Sequence, residues 1–186
     1  MTEFQTNGYV LVKNFIDQES IQDTSRYMEY LLKKGKAISP DGISSYSYYA
    51  DPLIETILYN AKSQVEYITG LDLYPTYSYA RVYLKNEKLK IHTDRPSCEI
   101  SITCNVATVG EPWPIFMKMP EKDPSKFILE PGDAIVYKGC VAEHWREEAI
   151  NTEINAQFML HYVDQKGPYA NYKYDGRESL GMPFKK

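Results

Sequence analysis

Two of the three histidines in this 186-residue chain stand where a metal site would use them. His92 and Asp94 are separated by one residue, and in an extended chain side chains at i and i+2 project to the same side. His144 lies 50 positions after Asp94, just beyond a β-prone run, and a neighbouring strand would return it to the same place. Two imidazoles and one carboxylate can occupy one face of an octahedral ion, as in the facial triad of non-heme iron(II) centres. The sequence therefore predicts an Fe(II) site with three open positions for a bidentate 2-oxo acid and O2.

Each of these residues also has a purely structural interpretation. A His-x-Asp pair occurs by chance in chains of this length, so His92 could be a surface histidine and His144 could simply pack beside Trp145. For His161 a hydrogen-bonded structural role is favoured over a place near the metal. Trp113 and Trp145 are expected to pack in the fold rather than to wall a substrate cleft.

The elements that position these residues begin with two helices. Apolar residues at helical spacing predict one amphipathic helix over 18–33, with Asp17 as its N-cap. A second helix is predicted over 52–69, with proline in its first turn and Gly70 at its end. The Ser-, Gly- and Tyr-rich segment 36–50 between them is predicted to be a loop.

Short β-prone runs separated by turn-rich segments dominate the rest of the chain. Two helices followed by closely spaced strands predict an α+β, mainly β fold with a sandwich or barrel. We expect one domain over 1–186, with a strand and supporting helices in 1–70, the barrel core in 71–165 and a C-terminal wrap in 166–186. The predicted strands are 8–14, 77–84, 99–106, 115–119, 134–137 and 155–163.

Composition excludes several classes of protein. The net charge of -4, without any basic block, gives no reason to expect a nucleic-acid partner. No apolar run approaches the roughly 20 residues that span a bilayer, and the first residues lack the pattern of a secretory signal. Cys98, Cys104 and Cys140 are odd in number and widely spaced, which indicates reduced core thiols and a cytoplasmic location. The 17 tyrosines are interpreted mainly as half-buried strand residues.

Three segments, in order along the chain, resemble one known family. Residues 7–19 (NGYVLVKNFIDQE), 80–94 (ARVYLKNEKLKIHTD) and 129–139 (LEPGDAIVYKG), the last followed by Glu143 and His144, are similar to the 2-oxoglutarate/Fe(II)-dependent oxygenases. The likeness is to the prolyl-4-hydroxylase-like branch. Residues 92–101 and 139–147 also resemble a group of small phage and bacterial sequences.

This resemblance implies a double-stranded β-helix, the jelly-roll or cupin-like barrel, with N-terminal supporting helices. His92, Asp94 and His144 match the three iron ligands, and Fe(II), 2-oxoglutarate and O2 are the implied cofactor and co-substrates. Tyr83, nine positions before His92, matches a tyrosine that reaches the 2-oxoglutarate carboxylate in relatives. A core tyrosine at position 83 is an equally good interpretation.

One departure from the family concerns the distal (C5) carboxylate of 2-oxoglutarate. Relatives place an Arg or Lys about ten residues after the distal histidine, because a fixed guanidinium suits this contact. Here residues 152–158 (TEINAQF) carry no cation. The C5 carboxylate must then find another partner, or the co-substrate differs. The candidates are Arg95, Lys118, Arg81 and Arg146, with neutral hydrogen bonds from Gln157 and Asn155.

The implied activity is oxidation of a small-molecule or peptidyl substrate, with hydroxylation of a C–H bond as the expected outcome and succinate and CO2 as products. A cupin-like metalloprotein that does not use 2-oxoglutarate remains an alternative because of the missing cation. A non-catalytic binding module on the same barrel is the third interpretation, although all three ligand types are present.

Overall fold

The computed structural model describes residues 1–33 and 46–181, and its three α-helices lie in the first 69 residues. They are α1 (Glu3–Asn7), α2 (Gln18–Lys33) and α3 (Pro52–Thr69). The bounds of α2 and α3 agree with the prediction, since their end signals are local. Asp51 caps α3 by accepting the first backbone N–H groups, and Gly70 ends it at φ 72°. The five-residue α1 was not predicted.

Ten β-strands make up most of the remaining chain in the described ranges. Three of them have 11 to 13 residues, and the other seven have only three to five. The strands are β1 (Tyr9–Val12), β2 (Tyr46–Tyr49), β3 (Leu73–Leu84), β4 (Leu89–His92), β5 (Ile100–Gly110), β6 (Ile115–Lys118), β7 (Ser125–Phe127), β8 (Ala134–Lys138), β9 (Glu143–Arg146) and β10 (Thr152–Asp164).

The strands form two antiparallel sheets. The larger sheet has the order β1-β8-β5-β10-β3-β2, and the smaller has the order β4-β9-β6-β7. Strands next to each other in space are often far apart in sequence, as expected for a jelly roll in which the chain passes back and forth between two sheets. The α+β, mainly β fold class is thereby confirmed.

Alternation along the long strands divides the molecule into two layers. On β3 and β10 the even-numbered side chains, such as Val82 and Phe158, are buried against α2 and α3 in the main hydrophobic core. The odd-numbered side chains, such as Arg81 and Gln157, line a cavity. A second cluster, which includes Met117 and Tyr137, lies on β6 and β8. The long strands therefore support the helices with one face and build the cavity with the other.

The structure differs from the prediction in several segments. Residues 46–49, predicted as loop, form strand β2, because Tyr46 and Tyr48 pack on the main core while the backbone pairs with β3. The rest of that predicted loop lies outside the described residues. Strand β3 begins four residues earlier than predicted, at Leu73, and includes Pro75. Pro75 is tolerated because it lies outside the stretch of β3 that pairs with β2 and faces β10 beside the register shift between Leu160 and Tyr162.

The C-terminal segment contains a short 3-10 helical stretch at Ala170–Gly176 that contacts β3. The last five residues lie outside the described residues. In the parts of the chain that the structure describes, no helix combines the length and apolar character needed to cross a membrane.

Candidate metal centre

His92 and His144 lie opposite each other on neighbouring strands of the smaller sheet. His92 is the last residue of β4, and it pairs with His144 of β9 in the antiparallel register. Directly opposed residues in such a pair hold their Cβ atoms roughly 5 Å apart. The two imidazole rings accordingly have centroids 4.2 Å apart. Asp94 follows in the loop after β4, and its backbone N–H donates to the carbonyl of Gly139 at 2.8 Å.

The three predicted ligands converge on one point. Asp94 Oδ1 lies 3.8 Å from His92 Nε2 and 3.6 Å from His144 Nε2. One ligand atom from each residue lies within 4.8 Å of the others. Two ligand atoms at about 2.1 Å from a shared ion can lie at most about 4.2 Å apart, and both measured separations are below this limit. The arrangement fits a metal ion bound on one face by two nitrogens and one oxygen.

Hydrogen bonds select the nitrogen that each histidine can offer. His92 Nδ1 lies 2.8 Å from the carbonyl oxygen of Lys90, and His144 Nδ1 lies 3.0 Å from the carbonyl oxygen of Ala142. A carbonyl only accepts, so each Nδ1 carries the proton and donates it. In the neutral form of each ring, Nε2 is then the nitrogen without a proton, and both Nε2 atoms face Asp94. Metal-binding histidines are held in this way, with the distal ring nitrogen donating to a fixed acceptor.

Ser101 of β5 holds the Asp94 carboxylate. Its hydroxyl donates to Asp94 Oδ2 at 2.7 Å, which leaves Oδ1 as the oxygen that faces the histidines. Gly139 packs tightly against this pair. A Cβ at position 139 would lie 2.6 Å from Asp94 Oδ2 and 2.7 Å from Ser101 Oγ, and it would collide with the Cys98 carbonyl. Only glycine at position 139 lets the carboxylate and hydroxyl approach the backbone this closely.

The same hydroxyl fixes the tautomer of His161. Ser101 Oγ also lies 3.0 Å from the Cys98 carbonyl and 3.0 Å from His161 Nδ1. Serine has one proton, and both Asp94 and the carbonyl are acceptors, so His161 Nδ1 must donate to Ser101. Burial lowers the pKa of His161 to about 4, which keeps the ring neutral near pH 7. His161 is thus hydrogen-bonded as predicted, and it also lines the cavity beside the metal site.

Burial controls the protonation of the other groups at the centre. Desolvation, partly opposed by the charge of Asp94, lowers the pKa of His144 and favours the neutral, ligating form. Tyr137 of β8 places its hydroxyl 3.4 Å from His144 Nε2. Burial raises the pKa of Tyr137 well above its usual range, so it stands at the site as a neutral phenol. The sequence analysis did not single out Tyr137. The alternation of β8 places Ile135 and Tyr137 on the same inward face, and this pattern could have identified Tyr137 as a residue of the site.

The metal site opens into a cavity of about 230 Å³ between the sheets. His92 is at its exposed side, with 39% of its side chain accessible, whereas His144 is only 4% accessible. Four of the 17 tyrosines line this space. The lining residues of β3 are Tyr77, Tyr79, Arg81 and Tyr83, those of β10 are Gln157, Met159 and His161, and the others are Leu89, His92, Asp94, Thr103, Ile115, Tyr137 and His144.

Tyr83 and Gln157, two of the residues predicted to bind a co-substrate, lie at the cavity. Tyr83 is fully buried, and its ring packs edge-on against Trp113 with centroids 5.0 Å apart. Gln157 is buried and pairs with Arg81 across the β10–β3 ladder. Arg81 lines the cavity as well, with its guanidinium 4.8 Å from the centre of the Tyr83 ring. Asn155 donates to Asn105 and Thr108, in a polar cluster that is not part of the cavity lining.

Of the four candidate cations, Arg81 is part of the cavity lining, whereas Arg95, Lys118 and Arg146 are not. Arg95 forms two hydrogen bonds of 2.8 Å with Asp175, and its guanidinium lies over the ring of Tyr77. Lys118 alternates with the buried Met117 on β6 and therefore points away from the barrel interior.

Arg146, the fourth cation considered from the sequence, is buried close to the site. It is two residues beyond His144 on β9, so both side chains point inward. Its Nη2 donates to Gln157 Oε1 at 2.8 Å, and its Nη1 donates to the Trp113 carbonyl. The guanidinium also lies 4.9 Å from the centre of the Trp113 ring. The packed position of Trp113 agrees with its predicted structural role.

The cysteines lie outside the group of three ligands. Cys98 and Cys104 are buried, whereas Cys140 is partly exposed, and all three are free thiols. Cys98, Asp94 and His161 form a second group whose ligand atoms are close together. In that group Asp94 Oδ2 and His161 Nδ1 are both bound to Ser101, and burial raises the pKa of the Cys98 thiol to about 12. Metal binding is therefore favoured at the His92 side of Asp94.

No protein-family model matches this chain, and no curated protein matches it. Several solved structures, however, are similar to it. A 2OG-Fe(II) oxygenase family oxidoreductase from Burkholderia pseudomallei is 14% identical, with a TM-score of 0.69 over 87% of this chain and 86% of that one. A prolyl-4-hydroxylase from Pseudomonas putida is 11% identical, with a TM-score of 0.68 over 86% and 95%. The epimerase SnoN in complex with Fe3+, alpha ketoglutarate and nogalamycin RO is 12% identical, with a TM-score of 0.72 over 97% and 89%.

At these identities the similarity concerns the fold. It extends over most of this chain and most of each similar structure. The double-stranded β-helix predicted from the three sequence segments is confirmed. This chain has the fold of the 2OG-Fe(II) oxygenases, with a His–Asp–His group at one side of its barrel cavity.

Proposed function

We propose that this protein is an Fe(II)- and 2-oxoglutarate-dependent dioxygenase that hydroxylates a C–H bond of a small-molecule or peptidyl substrate. The observation that carries the proposal is the convergence of His92 Nε2, Asp94 Oδ1 and His144 Nε2 on one point. Both histidines have their other ring nitrogen bound to a backbone carbonyl. This set of ligands suits iron(II) and leaves positions for exchangeable ligands.

When bound, iron(II) with 2-oxoglutarate and O2 supplies the oxidising power, and succinate and CO2 are released as the substrate gains a hydroxyl group. The protein would supply the iron ligands and a cavity, partly open to solvent near His92, in which the co-substrate and the substrate are oriented. Ser101 keeps the carboxylate of Asp94 oriented, and His161 keeps the hydroxyl of Ser101 oriented. Tyr83, Tyr137 and Gln157 provide hydrogen-bonding groups for a 2-oxo acid inside the cavity. The more exposed side, near His92, is where the substrate would approach.

The test is an anaerobic titration of the metal-free protein with Fe(II) and then with 2-oxoglutarate, followed by the visible metal-to-ligand charge-transfer band. We expect the band in the native protein and its loss in His92→Ala. Thr93→Ala is the matched control, because Thr93 is exposed between the two ligands. It should keep the band. Iron binding without a band would instead support the cupin-like metalloprotein.

Turnover provides a second readout. In air, the native protein should convert 2-oxoglutarate to succinate, and Asp94→Ala should abolish this conversion. Normal succinate formation in Asp94→Ala would contradict the assignment of the iron ligands. A protein that binds neither iron nor 2-oxoglutarate would fit the non-catalytic binding module.

A further inference from the structure

We propose that Arg146, held by Gln157, binds the distal carboxylate of 2-oxoglutarate in place of the cation that is missing from residues 152–158. This inference rests on the proposed function, because it concerns the same cavity. The positive charge then comes from β9, the strand that carries His144, and not from β10, the strand on which the resemblance places it.

The position of Arg146 suits a ligand that also reaches the metal. His144 and Arg146 are separated by one residue on an extended strand, so their side chains leave the same face roughly 7 Å apart along the strand. Gln157, which accepts a hydrogen bond from Arg146 Nη2, lines the cavity that contains the three iron ligands. Arg146 does not itself line the cavity, so the distal carboxylate of a 2-oxo acid bound at the metal would meet the guanidinium beside Gln157, at the edge of the lining.

The surroundings of Arg146 leave its charge uncompensated. The side chain is buried, yet its two hydrogen bonds go to neutral acceptors, the Gln157 amide and the Trp113 carbonyl. No hydrogen-bond partner meets its Nε among the described residues, and none of their carboxylates forms an ion pair with it. An arginine guanidinium is always protonated in proteins, so the group carries its charge at neutral pH. A buried cation without a counter-ion is costly, and an anionic ligand would remove that cost.

Gln157 has two functions in this arrangement. Its Oε1 accepts from Arg146 and fixes the guanidinium, while its amide N–H donors are left for another partner. Gln157 also occupies the part of β10 where relatives carry their cation. The pair Arg146–Gln157 thus offers one charged donor group and one neutral donor group to a carboxylate.

Among the other cations, Arg81 is the direct rival. Arg95 is engaged by Asp175, and Lys118 points away from the barrel interior. Arg81 lines the cavity and lies opposite Gln157 on β3. A decisive experiment must therefore separate Arg146 from Arg81, and it must detect the distal carboxylate rather than binding in general.

The experiment compares 2-oxoglutarate with 2-oxopentanoate, which has the same chain length but a methyl group at the distal end. Each acid is titrated anaerobically into the Fe(II)-loaded protein, and the charge-transfer band gives its dissociation constant. We expect Arg146→Met to bind 2-oxoglutarate roughly 10- to 100-fold more weakly, as for loss of a hydrogen bond between charged groups. Binding of 2-oxopentanoate should change less than about threefold, because it never contacts the guanidinium.

Two further variants test whether the effect depends on the planar guanidinium of Arg146 and not on loss of any arginine. Arg146→Lys keeps the charge but loses the planar pair of donors, so it should restore only part of the preference for 2-oxoglutarate. Arg26→Met removes an exposed arginine of α2 and should change neither constant. Iron affinity, measured separately for each variant, shows whether the metal site itself is intact.

The outcomes are distinct. Loss of the preference for 2-oxoglutarate in Arg146→Met, with the band for 2-oxopentanoate retained, supports the assignment, even where Arg81→Met also weakens binding. An unchanged preference in Arg146→Met, or a loss confined to Arg81→Met, overturns it. Absence of a band with both acids in the native protein overturns the proposed function and this inference with it. Equal affinity for both acids in the native protein overturns this inference alone.

Discussion

Replacing Ser101 with alanine tests how the protein holds its metal. The Ser101 hydroxyl donates to Asp94 Oδ2 at 2.7 Å and accepts from His161 Nδ1 at 3.0 Å, so one substitution removes both hydrogen bonds. Asp94 then loses the contact that keeps Oδ1 turned toward His92 and His144. The ligand atoms themselves remain. Loss of such an outer contact lowers metal affinity by about 10- to 100-fold.

In free energy this corresponds to about 1.4–2.8 kcal/mol, at 1.4 kcal/mol per factor of ten. The range agrees with the roughly 1.5–3 kcal/mol that a hydrogen bond to a charged group contributes. Isothermal titration of the metal-free protein with Fe(II) under anaerobic conditions measures the change directly. Fold stability should also fall, because His161 Nδ1–H loses its acceptor inside a buried site.

Ser78→Ala is the matched control. Ser78 is fully buried on β3, but its hydroxyl has no hydrogen-bond partner among the described residues and its side chain is not part of the cavity lining. Fe(II) affinity should be unchanged in this variant. The role assigned to Ser101 is refuted if Ser101→Ala binds Fe(II) within about twofold of the native protein, since a lost outer contact should cost at least tenfold. An equal loss in Ser78→Ala would refute it as well.

Three further predictions concern stability, each measured by urea unfolding. Leu58→Ala should cost about 2–5 kcal/mol, because Leu58 of α3 is fully buried in the main core; a cost below about 1 kcal/mol would contradict that packing. Asp51→Ala should cost about 1–2 kcal/mol through loss of the α3 cap and of the hydrogen bond from Tyr27, and Asp51→Asn should retain most of the stability. Because burial lowers the pKa of His161 to about 4 from its ordinary 6.5, the unfolded chain binds more protons between these values. The unfolding free energy should therefore fall as pH decreases from 6.5 to 4, and a slope unchanged in His161→Gln would contradict this origin.

Local signals explain why the helices were predictable. The bounds of α3 follow from Asp51, Pro52 and Gly70, each of which acts through the backbone beside it. The α1 helix lacks the length that a periodic pattern needs. Its capping residues, Thr2 and Gln5, are visible in the sequence only once a helix is suspected.

The strand that carries the site was not predictable in the same way. β9 consists of Glu143, His144, Trp145 and Arg146, and its two inward residues are polar. Apolar alternation identifies a strand only when its buried face is hydrophobic. Here that face carries His144, a proposed metal ligand, and the buried Arg146, so the apolar pattern is absent. The register that places His144 opposite His92 arises from pairing between distant segments, which no local signal contains.

The partner of the distal carboxylate could not be chosen among the four candidate cations from the sequence, for a related reason. Resemblance directed attention to residues 152–158, although the spacing rule that linked His92 to Asp94 also links His144 to Arg146. Sequence spacing alone gives no reason to prefer Arg146 over Arg95, which follows Asp94 directly. The hydrogen-bond partners distinguish the two arginines, because Arg95 donates to the carboxylate of Asp175 while Arg146 donates to neutral acceptors.

The alternation of β3 and β10 connects the stability of the fold to the geometry of the site. Val82 and Phe158 face the helices, and their neighbours Arg81 and Gln157 face the cavity. A shift of either strand by one residue would place Arg81 or Gln157 against α2 and α3 and expel an apolar side chain into the cavity. Because one face of β3 and β10 must pack against the helices, the residues on the other face are held in register at the cavity. For this reason the residues of the cavity face can change while the overall fold is retained.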